Sequence, residues 1–122
     1  MEKVLLIGAS PNPERYAYKA FKLLRSHGHE VVLLTIKKGE IDGVKFINDP
    51  PRRTKDENFD TVTLYINPQI QKQYYNDLIQ LKPKRIIFNP GTENEELYSL
   101  LDENNIEYME ACTLVLLRTG QY

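Results

Sequence analysis

The first 35 residues spell strand, helix, strand, and few folds accommodate that opening. Lys3-Val4-Leu5-Leu6-Ile7-Gly8 is an unbroken apolar run closed by glycine. A run without alternation suits a strand covered on both faces, as in a parallel sheet. Ala9-Ser10-Pro11-Asn12-Pro13-Glu14 then reads as a loop entering a helix, with Ser10 or Asn12 as its N-cap. Tyr16, Ala17, Ala20, Phe21 and Leu24 recur at helical spacing, with Lys19, Lys22 and Arg25 off the stripe. Gly28 is the expected left-handed stop, and Val31-Val32-Leu33-Leu34-Thr35 is a second buried strand. A helix joining two such strands makes a crossover and a parallel pair.

The rhythm continues. Residues 37–51 read as loop, with a short extended piece at Val44–Ile47, and 50–58 as a polar, solvated stretch. Strands are expected at 61–66, 85–88 and 106–109. Helices are expected at 68–81, with Asn67 as cap and Pro68 at its first position, and at 95–104, with a closing helical turn or two at 113–118. The fold class is α/β. The expected form is one Rossmann-like, doubly wound domain over residues 1–122, a mainly parallel five-stranded sheet with helices on both faces. The length of 122 residues suits one domain.

A formal net charge of −1 disfavours a polyanion such as nucleic acid as partner. The one cysteine, Cys112, permits no internal disulfide. No apolar run approaches the roughly 20 residues of a membrane-spanning helix. The strand-like segment directly after Met1 leaves no room for a signal peptide, so a cytoplasmic location is expected.

In a doubly wound sheet, ligands lie beyond the carboxyl ends of the strands, near the point where strand order reverses. Four loops meet there, beginning at Gly8, Thr35, Tyr65 and Phe88. The first occupies the place of a dinucleotide fingerprint but keeps only Gly8 of three expected glycines. Ser10 there either donates to a phosphate oxygen or caps the helix. Arg15 at a helix start opposes the dipole, which points to another use, and Lys19 is equally readable as a solvated charge. After the second strand, Thr35-Ile36-Lys37-Lys38 lacks the carboxylate that would hold an unphosphorylated ribose. Two lysines in its place suit a ribose bearing a phosphate, the 2′-phosphate of NADP or the 3′-phosphate of coenzyme A; a surface lysine pair is the alternative. The remaining loops each carry Asn-Pro after a strand, Asn67-Pro68 and Asn89-Pro90-Gly91-Thr92. Proline stiffens such a loop and Gly91 permits close approach; Asn67 and Thr92 also read as plain helix caps.

Several motifs in order carry a family resemblance. They are Gly8-Ala9-Ser10-Pro11 with Arg15-Tyr16 and Tyr18-Lys19-Ala20, Val62-Thr63-Leu64-Tyr65, Phe88-Asn89-Pro90-Gly91-Thr92-Glu93, and Glu110-Ala111-Cys112-Thr113. With these the chain resembles the small stand-alone CoA-binding proteins, whose fold is similar to the CoA-binding domain of the succinyl-CoA synthetase α subunit. The resemblance implies coenzyme A or an acyl-CoA as cofactor. It implies that Ala9, Ser10 and Arg15 face the pyrophosphate and Lys19 and Lys37 the nucleotide phosphates. Tyr65, Ile66 and Asn67 would line the adenine or pantetheine side, and Asn89, Pro90 and Gly91 would lie under the pantetheine arm. The family often has Asn-Pro-Lys where this chain has Thr35-Ile36-Lys37.

No catalytic constellation is legible. His27 and His29 flank the end of the first helix, away from the ligand edge, and the acidic residues of 93–103 suit a solvated face. Cys112 reads as a small buried hydrophobe; the alternative is a thiol that exchanges with that of CoA. The resulting expectation is a protein that binds CoA or a short acyl-CoA without transforming it, as carrier, sensor or subunit, with a protein partner possible but unidentified. An NADP-linked oxidoreductase and a non-binding interaction scaffold are the rival readings.

Overall fold

The structure is a computed structural model that describes residues 1–48 and 58–122. The solvated stretch expected at 50–58 therefore lies outside the described residues, apart from Asn58. Chain order is β1 (Lys3–Ile7), α1 (Tyr16–Ser26), β2 (Glu30–Leu34), β3 (Glu40–Ile41), β4 (Val44–Lys45) and β5 (Thr61–Leu64). After these come α2 (Pro68–Gln71), a 3₁₀ turn (Lys72–Tyr74), α3 (Tyr75–Leu81), β6 (Arg85–Phe88), α4 (Glu95–Glu103), β7 (Glu107–Glu110) and α5 (Thr113–Arg118).

Five strands form one sheet in the order β2-β1-β5-β6-β7, and every pairing in it is parallel. Because successive side chains of a strand point to opposite faces, β1 divides itself. Leu5 and Ile7 join the core with Leu78, Leu81, Leu97 and Leu101 of α3 and α4. Val4 and Leu6 join the other, with Ala20, Phe21 and Leu24 of α1 and Leu114 and Leu117 of α5. Both sides of β1 are thus buried, which is why its sequence shows no alternation. The expected Rossmann-like α/β fold is the observed one.

Local differences have physical causes. The expected loop at 37–51 holds a hairpin: Glu40–Ile41 pairs antiparallel with Val44–Lys45. Its turn is Asp42-Gly43, both at positive φ (50° and 81°), the dipeptide that two-residue hairpin turns favour. Ile47 then bridges in parallel to Leu34 at the β2 edge. The helix expected at 68–81 is interrupted by the 3₁₀ turn. Buried Gln71, Tyr74, Leu78 and Leu81 keep helical spacing across the break, so periodicity does not reveal it. No helix among the described residues is long and apolar enough to cross a membrane.

Candidate functional site: a cationic crevice at the strand-order reversal

β1 pairs with β2 on one side and β5 on the other. The chain leaves β1 for α1 on one face of the sheet and leaves β5 for α2 and α3 on the other. The two exits diverge and open a crevice of about 350 Å³, lined by Gly8, Ala9, Ser10, Arg15, Tyr16, Ala17, Thr35, Ile36, Lys37, Tyr65, Ile66 and Ile70.

Its floor is set by a close backbone approach. Gly8 sits at φ +102°, and a Cβ there would lie 2.6 Å from the Tyr65 carbonyl oxygen. The Gly8 amide donates to Leu34 O at 2.8 Å and the Tyr65 amide to Ile7 O at 2.8 Å. Gly8 is therefore what lets the ends of β1, β2 and β5 converge.

The α1 side differs from expectation. Neither Ser10 nor Asn12 caps the helix. Ser10 Oγ accepts from the Asn12 amide at 3.2 Å, and Asn12 Oδ1 accepts from the Glu14 amide at 3.0 Å. These local turns use up both side-chain acceptors before the helix begins. The N-cap is Arg15, which offers no capping oxygen. The amides of the first turn, at Tyr16 and Ala17 on the crevice wall, are left without a side-chain cap at the positive end of the dipole.

Opposite them runs the segment after β2. Thr35 Oγ1 accepts from the Lys37 amide at 3.3 Å. Asn48 Nδ2 donates to the carbonyls of both Thr35 and Lys37. This latch was not anticipated, because it joins residues on either side of the hairpin. Among the described residues, Arg15 and Lys37 are the charged members of the lining, and none of those members is a carboxylate. Tyr16, Ile36 and Ile70, absent from the expected set, give the mouth an apolar rim; Ile36 is 82% exposed. Exposed apolar residues clustered around one opening are the signal that would have found them. Tyr65 lines the crevice while its hydroxyl is buried near Thr113 and Thr63, and burial pushes its ionisation well above the usual phenol range.

Gly8, Ala9, Ser10, Arg15, Thr35, Lys37, Tyr65 and Ile66 thus come together, and the other expected residues stand elsewhere. Lys19 lies over the Tyr16 ring at 5.7 Å and lines a separate groove with Lys22 and Arg118. Asn67 caps α2, accepting from the Ile70 amide at 3.0 Å. Asn89 is buried and braces the scaffold. Its Nδ2 donates to Thr63 Oγ1 (2.7 Å) and Leu64 O (2.9 Å), and its Oδ1 accepts from the Thr113 amide (2.8 Å). Pro90 and Gly91 form an exposed loop tip, where the Gly91 amide donates to Glu93 Oε1. Thr92 is not the cap of α4: its hydroxyl turns back to Asn89 O, and Asn94 caps instead.

Cys112 is a half-buried free thiol at the N-cap position of α5. His29 is far from the crevice, at the amino end of the strands, where its Nδ1 accepts from the Glu2 amide. The described residues contain no group of three or more His, Cys, Asp or Glu able to hold a metal ion.

This arrangement suits an anionic ligand that also carries an apolar part. It pairs uncapped helix amides and two cations with an apolar rim, and its lining holds no carboxylate among the described residues.

The crystal structure of an uncharacterized protein superposes at a TM-score of 0.93 with 53% identity, covering 100% of this chain and 98% of the other. A conserved hypothetical protein from Pyrococcus furiosus matches at 0.81 with 30% identity, over 94% of this chain and 98% of its own. The fold alone is shared with an acetyl-coenzyme A synthetase of Ca. Korarchaeum cryptofilum, solved with phosphate and ADP: TM-score 0.71, 17% identity, 88% of this chain and 25% of that one. No curated protein matches. The model of the CoA binding domain matches residues 2–118, and the chain belongs to that family.

Proposed function

We propose that the protein binds coenzyme A through its nucleotide half in the β1/β5 crevice, and holds it without transforming it. The observation that carries this reading is the lining itself: Arg15 and Lys37 line one opening, and no carboxylate joins them there among the described residues. Ser10, Arg15 and the open amides of α1 hold the pyrophosphate. Lys37 holds the ribose 3′-phosphate. Its backbone is kept in place by Thr35 and Asn48. Ile36, Ile66 and Ile70 cover the adenine. Membership of the CoA binding domain family supports the choice of cofactor.

Hydrogen bonds to charged groups contribute about 1.5–3 kcal/mol each, enough to separate a phosphorylated ribose from a bare one. Titration calorimetry with CoA, dephospho-CoA, NADP and NAD tests the reading. Tightest binding of CoA is expected. Tightest binding of NADP would move the assignment to the 2′-phosphate cofactor, and no heat with any of the four would favour a scaffold role.

A further inference from the structure

We infer that Gln71 is the positioning residue that couples the apolar wall of the crevice to the loop after β6. Gln71 is completely buried, although glutamine is seldom found so. Its Nε2 donates to Ile66 O at 2.8 Å and to Thr92 O at 2.8 Å. Its Oε1 accepts from Asn94 Nδ2 at 2.9 Å. Ile66 and the adjacent Ile70 form the wall beside β5, whereas Thr92 and Asn94 belong to the segment that starts α4. One amide therefore closes the gap between two strand-end loops.

The chemistry admits no simple replacement. Two carbonyl oxygens require two hydrogens on one planar group, and the neighbouring amide hydrogen of Asn94 requires an acceptor beside them; a side-chain amide supplies all three. A carboxylate would present lone pairs to both carbonyls and push the loops apart. A methionine would fill the space and leave both carbonyls unpaired. The network continues outward: Asn94 Nδ2 also donates to Tyr75 Oη at 2.8 Å, and Asn94 Oδ1 holds the Leu97 amide at the start of α4. A ligand pressing on Ile66 and Ile70 thus loads α4 through Gln71. This coupling rests on the crevice being the CoA site.

The test is calorimetry of CoA with the wild-type chain, Gln71→Glu and Gln71→Met, at about pH 8 and about pH 5.5, the range over which a buried glutamate protonates. Each variant is compared with wild type at the same pH, which cancels the titration of CoA itself. Gln71→Glu should bind about tenfold or more weakly at the higher pH, with the deficit narrowing at the lower pH as the acid regains one hydrogen. Gln71→Met should be weaker by a factor that pH leaves unchanged. Hydrogen exchange on the wild-type chain gives an answer even if a variant fails to fold: CoA should raise protection at residues 66–71 and again at 92–97. Wild-type heat with an unimpaired Gln71→Glu, or protection confined to residues 8–17 and 35–37, would overturn the coupling alone. Absence of wild-type heat would overturn the ligand assignment and the coupling with it.

Discussion

Gly8 lies so close to Tyr65 that a Cβ on it would sit 2.6 Å from the Tyr65 carbonyl oxygen and 2.9 Å from its carbonyl carbon. Both neighbours are backbone, so neither can rotate away. Gly8→Ala must separate β1 from β5 while also holding alanine at φ +102°. A loss of about 1–3 kcal/mol is expected from the strained backbone alone, measurable by urea unfolding. The crevice would widen at its floor, so CoA affinity should fall in the folded fraction too.

Asn89 ties three elements through three hydrogen bonds. Asn89→Ala strands the Thr113 amide, the first donor of α5, and opens a void beside Thr63. Each buried group left unsatisfied costs about 1–3 kcal/mol. A fall of that size or greater in unfolding free energy is expected, with α5 amides exchanging sooner than those of α1.

Asn48 holds the Lys37 segment through the carbonyls of Thr35 and Lys37. Asn48→Ala should weaken CoA binding by about 0.5–1.5 kcal/mol and leave dephospho-CoA nearly untouched. If the latch acts by placing Lys37, the effect should vanish in a Lys37→Ala background. A double-mutant cycle reads that coupling directly.

His29 accepts a hydrogen bond from the Glu2 amide at 2.9 Å and packs its ring on Tyr122 with centroids 5.1 Å apart. Desolvation by burial holds its pKa below the ordinary histidine value, outweighing the opposing pull of Glu2. The folded state therefore binds this proton less readily than the unfolded chain. The stability it contributes is present above the unfolded pKa of about 6.5 and is lost as pH falls through the folded pKa below it. Urea midpoints at neutral and mildly acidic pH should diverge in wild type and converge in His29→Gln.

The sheet was legible because β1 and β2 carry uninterrupted apolar runs and because β5 and β6 each lead to an Asn-Pro, at Asn67-Pro68 and Asn89-Pro90. The hairpin at Asp42-Gly43 is not among the expected elements: only a short extended piece at Val44–Ile47 is expected there, although the dipeptide itself favours such a turn. The site was only partly legible. A loop polar residue looks the same whether it faces ligand or scaffold. Asn89 finds its partners 24 to 26 residues away in sequence, and no local pattern announces such contacts. The same holds for Gln71, whose contact with Thr92 spans 21 residues inside a segment that otherwise reads as plain amphipathic helix. Ser10 and Asn12 suggested caps by residue type. Their acceptors are spent on the turn before α1, which leaves that helix start open toward the crevice.

The most direct measurement of the central claim is calorimetry of CoA and dephospho-CoA against wild type and Lys37→Ala. The account predicts that wild type prefers CoA. It predicts that Lys37→Ala loses about 1–3 kcal/mol with CoA and almost nothing with dephospho-CoA. Equal losses for the two ligands, or a wild-type chain indifferent to the 3′-phosphate, would contradict it.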